Sequence, residues 1–181
     1  PQQLVILAGG RGTRLGTLTE HTPKPMVPFH GRPFLEYLLE YFKEQGISRC
    51  LILLGYLHDK VTSHFGDGSD FGIEIEYDIQ PVEYDTGSRL RAAYDKIGPE
   101  FLMVYCDNYC PLNLKAVAEE FRKGGRKAQF VVYRNRDGYT NSNLRVEDGA
   151  VSIYDKTRNS PGLEGVEIGF LMADKEILDL L

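Results

Sequence analysis

The sequence predicts an α/β domain with a mixed, mostly parallel central sheet and helices on both faces. Short, wholly apolar runs are bounded by turn residues, amphipathic segments alternate with them, and the first apolar run ends directly in Gly-Gly. Leu4–Ala8 is that first run and reads as a buried strand. Phe34–Gln45 places Phe34, Leu35, Leu38, Leu39 and Phe42 on one helical face, and Gly46 stops it. Leu51–Leu54 is a second buried strand, followed by a helix around Asp59–Phe65. Ile73–Ile79 alternates as a half-exposed strand does. Ser88–Ile97 reads as helix and Phe101–Tyr105 as another buried strand. Asn113 caps a helix from Leu114 to about Lys123, closed by Gly124-Gly125. Gln129–Tyr133, Ser142–Val146, Ala150–Tyr154 and Val166–Ala173 are strand candidates, and Asp148-Gly149 joins the middle two as a hairpin. With no repeat, low-complexity tract or linker, the expectation is one domain over residues 1–181.

Composition narrows the function classes. Hydrophobic residues at 42% against 26% charged give a globular balance, which excludes a disordered chain. A formal net charge of −5 lacks the broad basic face that nucleic-acid binding needs. No apolar run is long enough for a membrane span, so neither nucleic acid nor membrane is an expected partner. Three cysteines, an odd number, speak against a disulfide framework and for the cytoplasm.

The chemistry concentrates in Leu7–Pro28, LAGGRGTRLGTLTEHTPKPMVP. Gly9, Gly10 and Gly12 follow the first strand, where the lack of a Cβ lets backbone N–H groups approach a phosphate. Arg11, Arg14 and Lys24 face one acid, Glu20, so the segment is locally basic in an acidic chain. It is no P-loop, lacking G-x-x-x-x-G-K-[ST], and no dinucleotide fingerprint, since Leu15 stands where the third glycine would. That absence, with Pro23-Lys24-Pro25 following, argues against a NAD(P) oxidoreductase. The bland alternative is a glycine-rich surface turn with solvated arginines.

The same segment resembles the signature of the sugar-1-phosphate nucleotidyltransferases, L-[AC]-G-G-x-G-T-R-L-x-x-x-T-x-x-x-P-K-P-[ML], with every fixed position present from Leu7 to Met26. Pro33-Phe34-Leu35 before an amphipathic helix, Asp70-Phe71-Gly72-Ile73 before an alternating strand, and Asp155-Lys156 are similar to later family blocks. Pro33-Phe34-Leu35 and the Leu54-Gly55-Tyr56 turn look most like the heptose-1-phosphate guanylyltransferases. The resemblance implies the Rossmann-like nucleotide-diphospho-sugar transferase fold. It also implies nucleotidyl transfer from a nucleoside triphosphate, GTP, to a sugar 1-phosphate, a heptose, releasing pyrophosphate. Leu7, Gly9, Gly10, Arg11, Gly12 and Thr13 would cradle the nucleotide, with Arg14 and Lys24 offsetting charge in the transition state.

Asp107 ends the apolar run FLMVY-Cys, and a carboxylate at a strand's carboxyl end lies where open α/β sheets bind ligands. The resemblance makes it the Mg²⁺ ligand, although Tyr105 and Cys106 replace the usual Asn and Gly. Cysteine there is expected to crowd the backbone beside the nucleotide; the alternative is a strand-end Asp capping a turn. Cys106 and Cys110 lack the partners of a zinc set and read as inert thiols, and the four histidines show no metal or triad spacing.

The stretch 80–90 is similar to the family's base loop, giving Gln80, Thr86 and Gly87 as nucleotide contacts. Glu83, Tyr84 and Asp85 replace Pro-Leu-Gly, and Ser88-Arg89 replace small residues. The two acids and Arg89 read a guanine edge, mark a drifted specificity, or form a solvated charged turn. Asn143, Lys156, Glu167 and Gly169 match positions lining the sugar-phosphate pocket. Family members continue beyond the equivalent of Leu181 and carry a second metal-holding acid there. The expectation is therefore a trimmed chain that binds nucleotide and turns over slowly, with Ile177, Leu178, Leu180 and Leu181 exposed and Asp174 or Asp179 as stand-in acids. A nucleotide-sensing or regulatory domain without turnover is the rival reading. The oligomeric state stays open.

Overall fold

A computed structural model describes residues 3–181. The elements, in order, are β1 (Leu4–Ala8), β2 (Pro28–Phe29), β3 (Arg32–Pro33), α1 (Phe34–Glu44), β4 (Arg49–Leu54), α2 (His58–Phe65), β5 (Glu74–Ile79), α3 (Thr86–Ala92) and β6 (Glu100–Tyr105). They continue with α4 (Leu114–Gly124), β7 (Ala128–Tyr133), β8 (Leu144–Glu147), β9 (Ala150–Tyr154) and β10 (Val166–Asp174). The chain divides into two compact units, one running to Gln129 and including Leu171–Leu181, the other Phe130–Phe170. No helix among the described residues is long and apolar enough to cross a membrane.

The main sheet has the order β5-β4-β1-β6-β10-β7. β1 lies parallel between β4 and β6, and β4 parallel beside β5. This is the mostly parallel α/β architecture that the alternation of apolar runs and amphipathic segments predicts. Leu4–Ala8 is buried at every position because a central strand covered on both faces has no side left for a polar residue. α1 buries Leu35, Leu38, Leu39, Tyr41 and Phe42. It ends in a Schellman motif: Gly46 N–H donates to Lys43 O at 2.9 Å and Ile47 N–H to Phe42 O at 3.0 Å. Gly46 carries the φ of +86° that this closure demands. Asn113 caps α4, its side chain accepting from Ala116 N–H at 3.0 Å.

Within the second unit, β8 and β9 pair antiparallel around Asp148 and Gly149, whose φ values of 50° and 72° make the two-residue turn of a right-twisted hairpin. Three features depart from the sequence reading. α3 starts at Thr86 rather than Ser88 and gives way to a separate 3₁₀ turn at Tyr94–Lys96, because Asp85 caps it by accepting from Ser88 N–H at 2.8 Å. A two-residue hairpin, β2–β3, turns at His30-Gly31, with φ of 47° and 80°. Leu178 is fully buried in a terminal 3₁₀ segment while Leu180 is 83% exposed, so the last apolar residues do not share one exposed face.

Candidate active site

The glycine segment is held from beneath and from its far end. Gly12 adopts a left-handed φ of +67°, and a Cβ there would meet Thr19 at 3.2 Å and Lys24 at 3.3 Å. That close approach folds the loop back on itself. Thr19 Oγ1 donates to Gly12 O at 3.1 Å and lies 3.2 Å from Gly16 O, while Tyr56 OH donates to Glu20 O at 2.6 Å. The Arg11 guanidinium sits 5.2 Å over the Tyr56 ring, a cation–π contact. Thr13 and Arg14 are exposed on the 3₁₀ segment Thr13–Thr19.

The returning loop delivers Lys24 to Asp107. Lys24 Nζ donates to the Asp107 carboxylate across 83 residues of chain, with side-chain exposures of 22% and 38%. A pair so accessible can exchange partners when an anion arrives. Asp107 is placed there by β6, whose last rungs pair with β1, and by the Cys106 N–H donating to Leu7 O at 3.2 Å. Cys106 itself corrects the expectation of crowding. Its side chain turns inward, 4% exposed, and burial pushes its thiol up to about 12, with the neighbouring Asp107 charge adding to the rise. Among the described residues no group of three or more His, Cys, Asp or Glu could hold a metal. A lone exposed carboxylate suits Mg²⁺ in one mode, with phosphate oxygens and water completing the shell. The charge of Asp179, one of the two stand-in acids, raises the pKa of the Tyr94 phenol.

Arg89, read from sequence as a residue at the base edge or on a solvated turn, instead points into the protein. Arg89 is 4% exposed. It donates to Leu54 O at 2.9 Å, Pro81 O at 2.8 Å, Val82 O at 3.1 Å and Gly9 O at 3.3 Å. Burial lowers its pKa, opposed by the Glu83 charge. A Cβ on Gly9 would lie 2.2 Å from the guanidinium carbon, and one on Gly55 would lie 2.6 Å from Gly9 O. A side chain on Gly55 would therefore run into backbone, and one on Gly9 would have to displace the Arg89 guanidinium. In the stretch 80–90, Gln80 donates to Asp78, which is buried and 3.2 Å from Lys96 Nζ. Thr86 and Gly87 open α3, and Asp85 is engaged as its cap; Glu83 is exposed.

The second unit brings the remaining candidates together. Asn143 is buried, and its Oδ1 accepts from Glu167 N–H at 2.9 Å. Gly169, at φ +80°, donates its N–H to the Glu167 carboxylate. Burial raises the Glu167 pKa, while that N–H and the Lys156 charge oppose the rise. Lys156 is exposed on a turn organised by Asp155. The Asp155 carboxylate accepts from Thr157 N–H and Oγ1, Asn159 N–H, and Ser160 N–H and Oγ, at 2.6–3.0 Å. The Thr157 and Ser160 hydroxyls hold its pKa well below the usual carboxylate range.

Comparison with known proteins agrees with this geometry. The family model described as "Nucleotidyl transferase" matches residues 3–143. The chain is 27% identical, over 98% of its length and 78% of the relative's, to D-glycero-alpha-D-manno-heptose 1-phosphate guanylyltransferase of Campylobacter jejuni. It is 34% identical to the enzyme of the same name from Aneurinibacillus thermoaerophilus, over 56% of this chain and 44% of that one. Among solved structures, HddC from Yersinia pseudotuberculosis superposes with a TM-score of 0.82 at 27% identity, covering 100% of this chain and 80% of that one. The same protein complexed with GMP-PN gives 0.80 at 28% identity, over 99% and 79%. With its signature segment, parallel sheet and strand-end acid in these positions, the chain belongs to the nucleotidyl transferase family, among the sugar-1-phosphate nucleotidyltransferases.

Proposed function

We propose that this chain transfers a nucleotidyl group from GTP to a heptose 1-phosphate, releasing pyrophosphate. The observation that carries the reading is the Lys24–Asp107 pair, which joins the glycine loop to the end of β6 and places a cation and an acid beside a backbone built to approach phosphate. The likeness to two heptose 1-phosphate guanylyltransferases, and to a structure complexed with GMP-PN, supports the guanine and heptose assignments.

In this reaction a sugar-phosphate oxygen forms a bond to the α-phosphorus, and the bond from that phosphorus to the β-phosphate bridging oxygen breaks. The nucleophile is already an anion, so catalysis is positioning plus electrostatic offset of two like charges. Backbone N–H groups of Gly9, Gly10 and Gly12, with Leu7, Arg11 and Thr13 beside them, bind the triphosphate. Arg14 and Lys24 offset charge as it develops. Asp107 would hold Mg²⁺ alongside phosphate oxygens; when bound, the ion neutralises phosphate charge. Gln80, Thr86 and Gly87 contact the base and ribose, with Glu83 rather than the engaged Asp85 free to accept from a guanine edge. Asn143, Lys156, Glu167 and Gly169 hold the sugar phosphate, Lys156 offsetting its charge and Glu167 accepting from hydroxyls.

Pyrophosphate release with Mg²⁺, a panel of nucleoside triphosphates and a panel of sugar 1-phosphates tests each part. GTP with a heptose 1-phosphate is expected to give the highest rate. A preference for UTP, CTP or dTTP rejects the guanine assignment. Nucleotide binding without pyrophosphate release from any pair supports a regulatory domain instead.

A further inference from the structure

We infer that Arg89 is a positioning residue for the triphosphate, acting through the peptide bond between Gly9 and Gly10. Gly9 O accepts twice from the protein interior, from Arg89 at 3.3 Å and from Tyr56 N–H at 3.1 Å. A trans peptide is planar and its N–H points opposite to its carbonyl. Fixing Gly9 O inward therefore directs the Gly10 N–H outward, and Gly10 is exposed. The donor at the crown of the loop is thereby aimed before any ligand arrives.

The other bonds of Arg89 extend this control. Leu54 O belongs to the end of β4 and also accepts from Gln80 N–H at 3.0 Å. Pro81 O and Val82 O belong to the loop assigned to the base. One planar guanidinium thus ties the phosphate-facing turn, a central strand end and the base loop into one register. A lysine cannot do this, because its compact head cannot span carbonyls set by a planar fork. Gly9 is part of the same device, since a Cβ would collide with the guanidinium. Ordering these three segments in advance removes an entropic cost from ligand binding.

The inference rests on the reading of the glycine loop as a triphosphate site, and the test separates the two. Binding of GTP, and of inorganic triphosphate as the phosphate-only probe, is measured by calorimetry on the full chain. The Gly10 and Tyr56 amide signals are followed by NMR. In the unmutated protein, both probes are expected to bind and to shift the Gly10 amide. In Arg89→Met and Arg89→Lys, affinity for both is expected to fall by about 10- to 100-fold, the scale of losing a hydrogen bond to a charged group. The ligand-free Gly10 resonance should move, and the Tyr56 amide should exchange faster. If Arg89→Met does not fold, Arg89→Lys decides. A folded lysine variant that binds within about twofold of the parent and keeps its Gly10 resonance overturns the inference, since aimed donors contribute well above that. So does a parent protein whose Gly10 amide ignores bound triphosphate. A parent that binds neither probe overturns the nucleotidyl-transfer reading itself, and this inference with it.

Discussion

The two units reach order by different means. In the first, β1 is buried throughout and β6 at its four inner positions, Phe101 to Val104, so packing of apolar side chains fixes the strands that carry the glycine loop and Asp107. In the second, Leu144 is the one buried residue of β8 and β9. There the backbone is organised by polar groups instead: Asp155 gathers the 157–160 turn, and the Asn143 side chain accepts from Glu167 N–H. Apolar burial is non-directional and large, whereas a hydrogen bond exchanged against water contributes about 1 kcal/mol net and demands geometry. The unit that carries the signature is thus set by a core, and the second unit by a set of polar contacts sensitive to charge state.

The largest test of this contrast is Leu51→Ala. Leu51 is fully buried on a central strand, and its truncation should cost about 2–5 kcal/mol, read as a lowered denaturation midpoint at unchanged slope. A loss below about 1 kcal/mol would mean that the first unit does not depend on its core in this way.

Next comes the chemistry resting on that rigid half. Lys24→Met removes the charge that meets Asp107 and should lower kcat/KM by about two to three orders of magnitude, as loss of a preorganised electrostatic contact does. Near-parental turnover would leave Lys24 as a partner for Asp107 and nothing more.

The smallest effect concerns the second unit. The folded pKa of Asp155 lies below its unfolded value, because five donors favour the carboxylate. Its stabilisation is therefore complete above the unfolded value, about pH 4, and fades as pH falls through the depressed folded value. Protection factors of the Asn159 and Ser160 amides, taken against the intrinsic rate at each pH, should fall on acidification, with the β1 amides protected longer. Simultaneous loss at both places would mean that the turn is not held by this carboxylate.

How far the sequence discloses these features follows from the same physics. Leu4–Ala8 is readable to the residue because a doubly covered strand must be apolar throughout and Gly-Gly must follow it. Asn113 and the Asp148-Gly149 turn are equally open, since each is a local bond pattern with few residue solutions. The β2–β3 hairpin escapes because two-residue strands have no period to detect. The start of α3 is missed because Asp85, a helix cap, looks like one more acid in a base loop. Lys24 and Asp107 meet across 83 residues, and only family resemblance hints at it. Arg89 is the hardest case. Its partners are carbonyl oxygens, which every residue has, so no side-chain pattern marks them.

The central place of β1 also matters to the growing chain. Leu4–Ala8 pairs with Cys50–Leu54 on one side, and Leu4–Leu7 with Leu102–Tyr105 on the other. Parallel partners come only after long crossovers, so during synthesis this uncharged strand waits on the order of ten seconds for its second neighbour. Over that interval it has features of a segment that self-associates: a wholly apolar run with no charge and no proline. The strand that later presents the glycine loop is thus also exposed to misassociation on the ribosome. Its safe passage depends on how quickly β4 can emerge and cover one side, which makes the rate of translation through residues 9–54 part of how this enzyme comes to exist in active form.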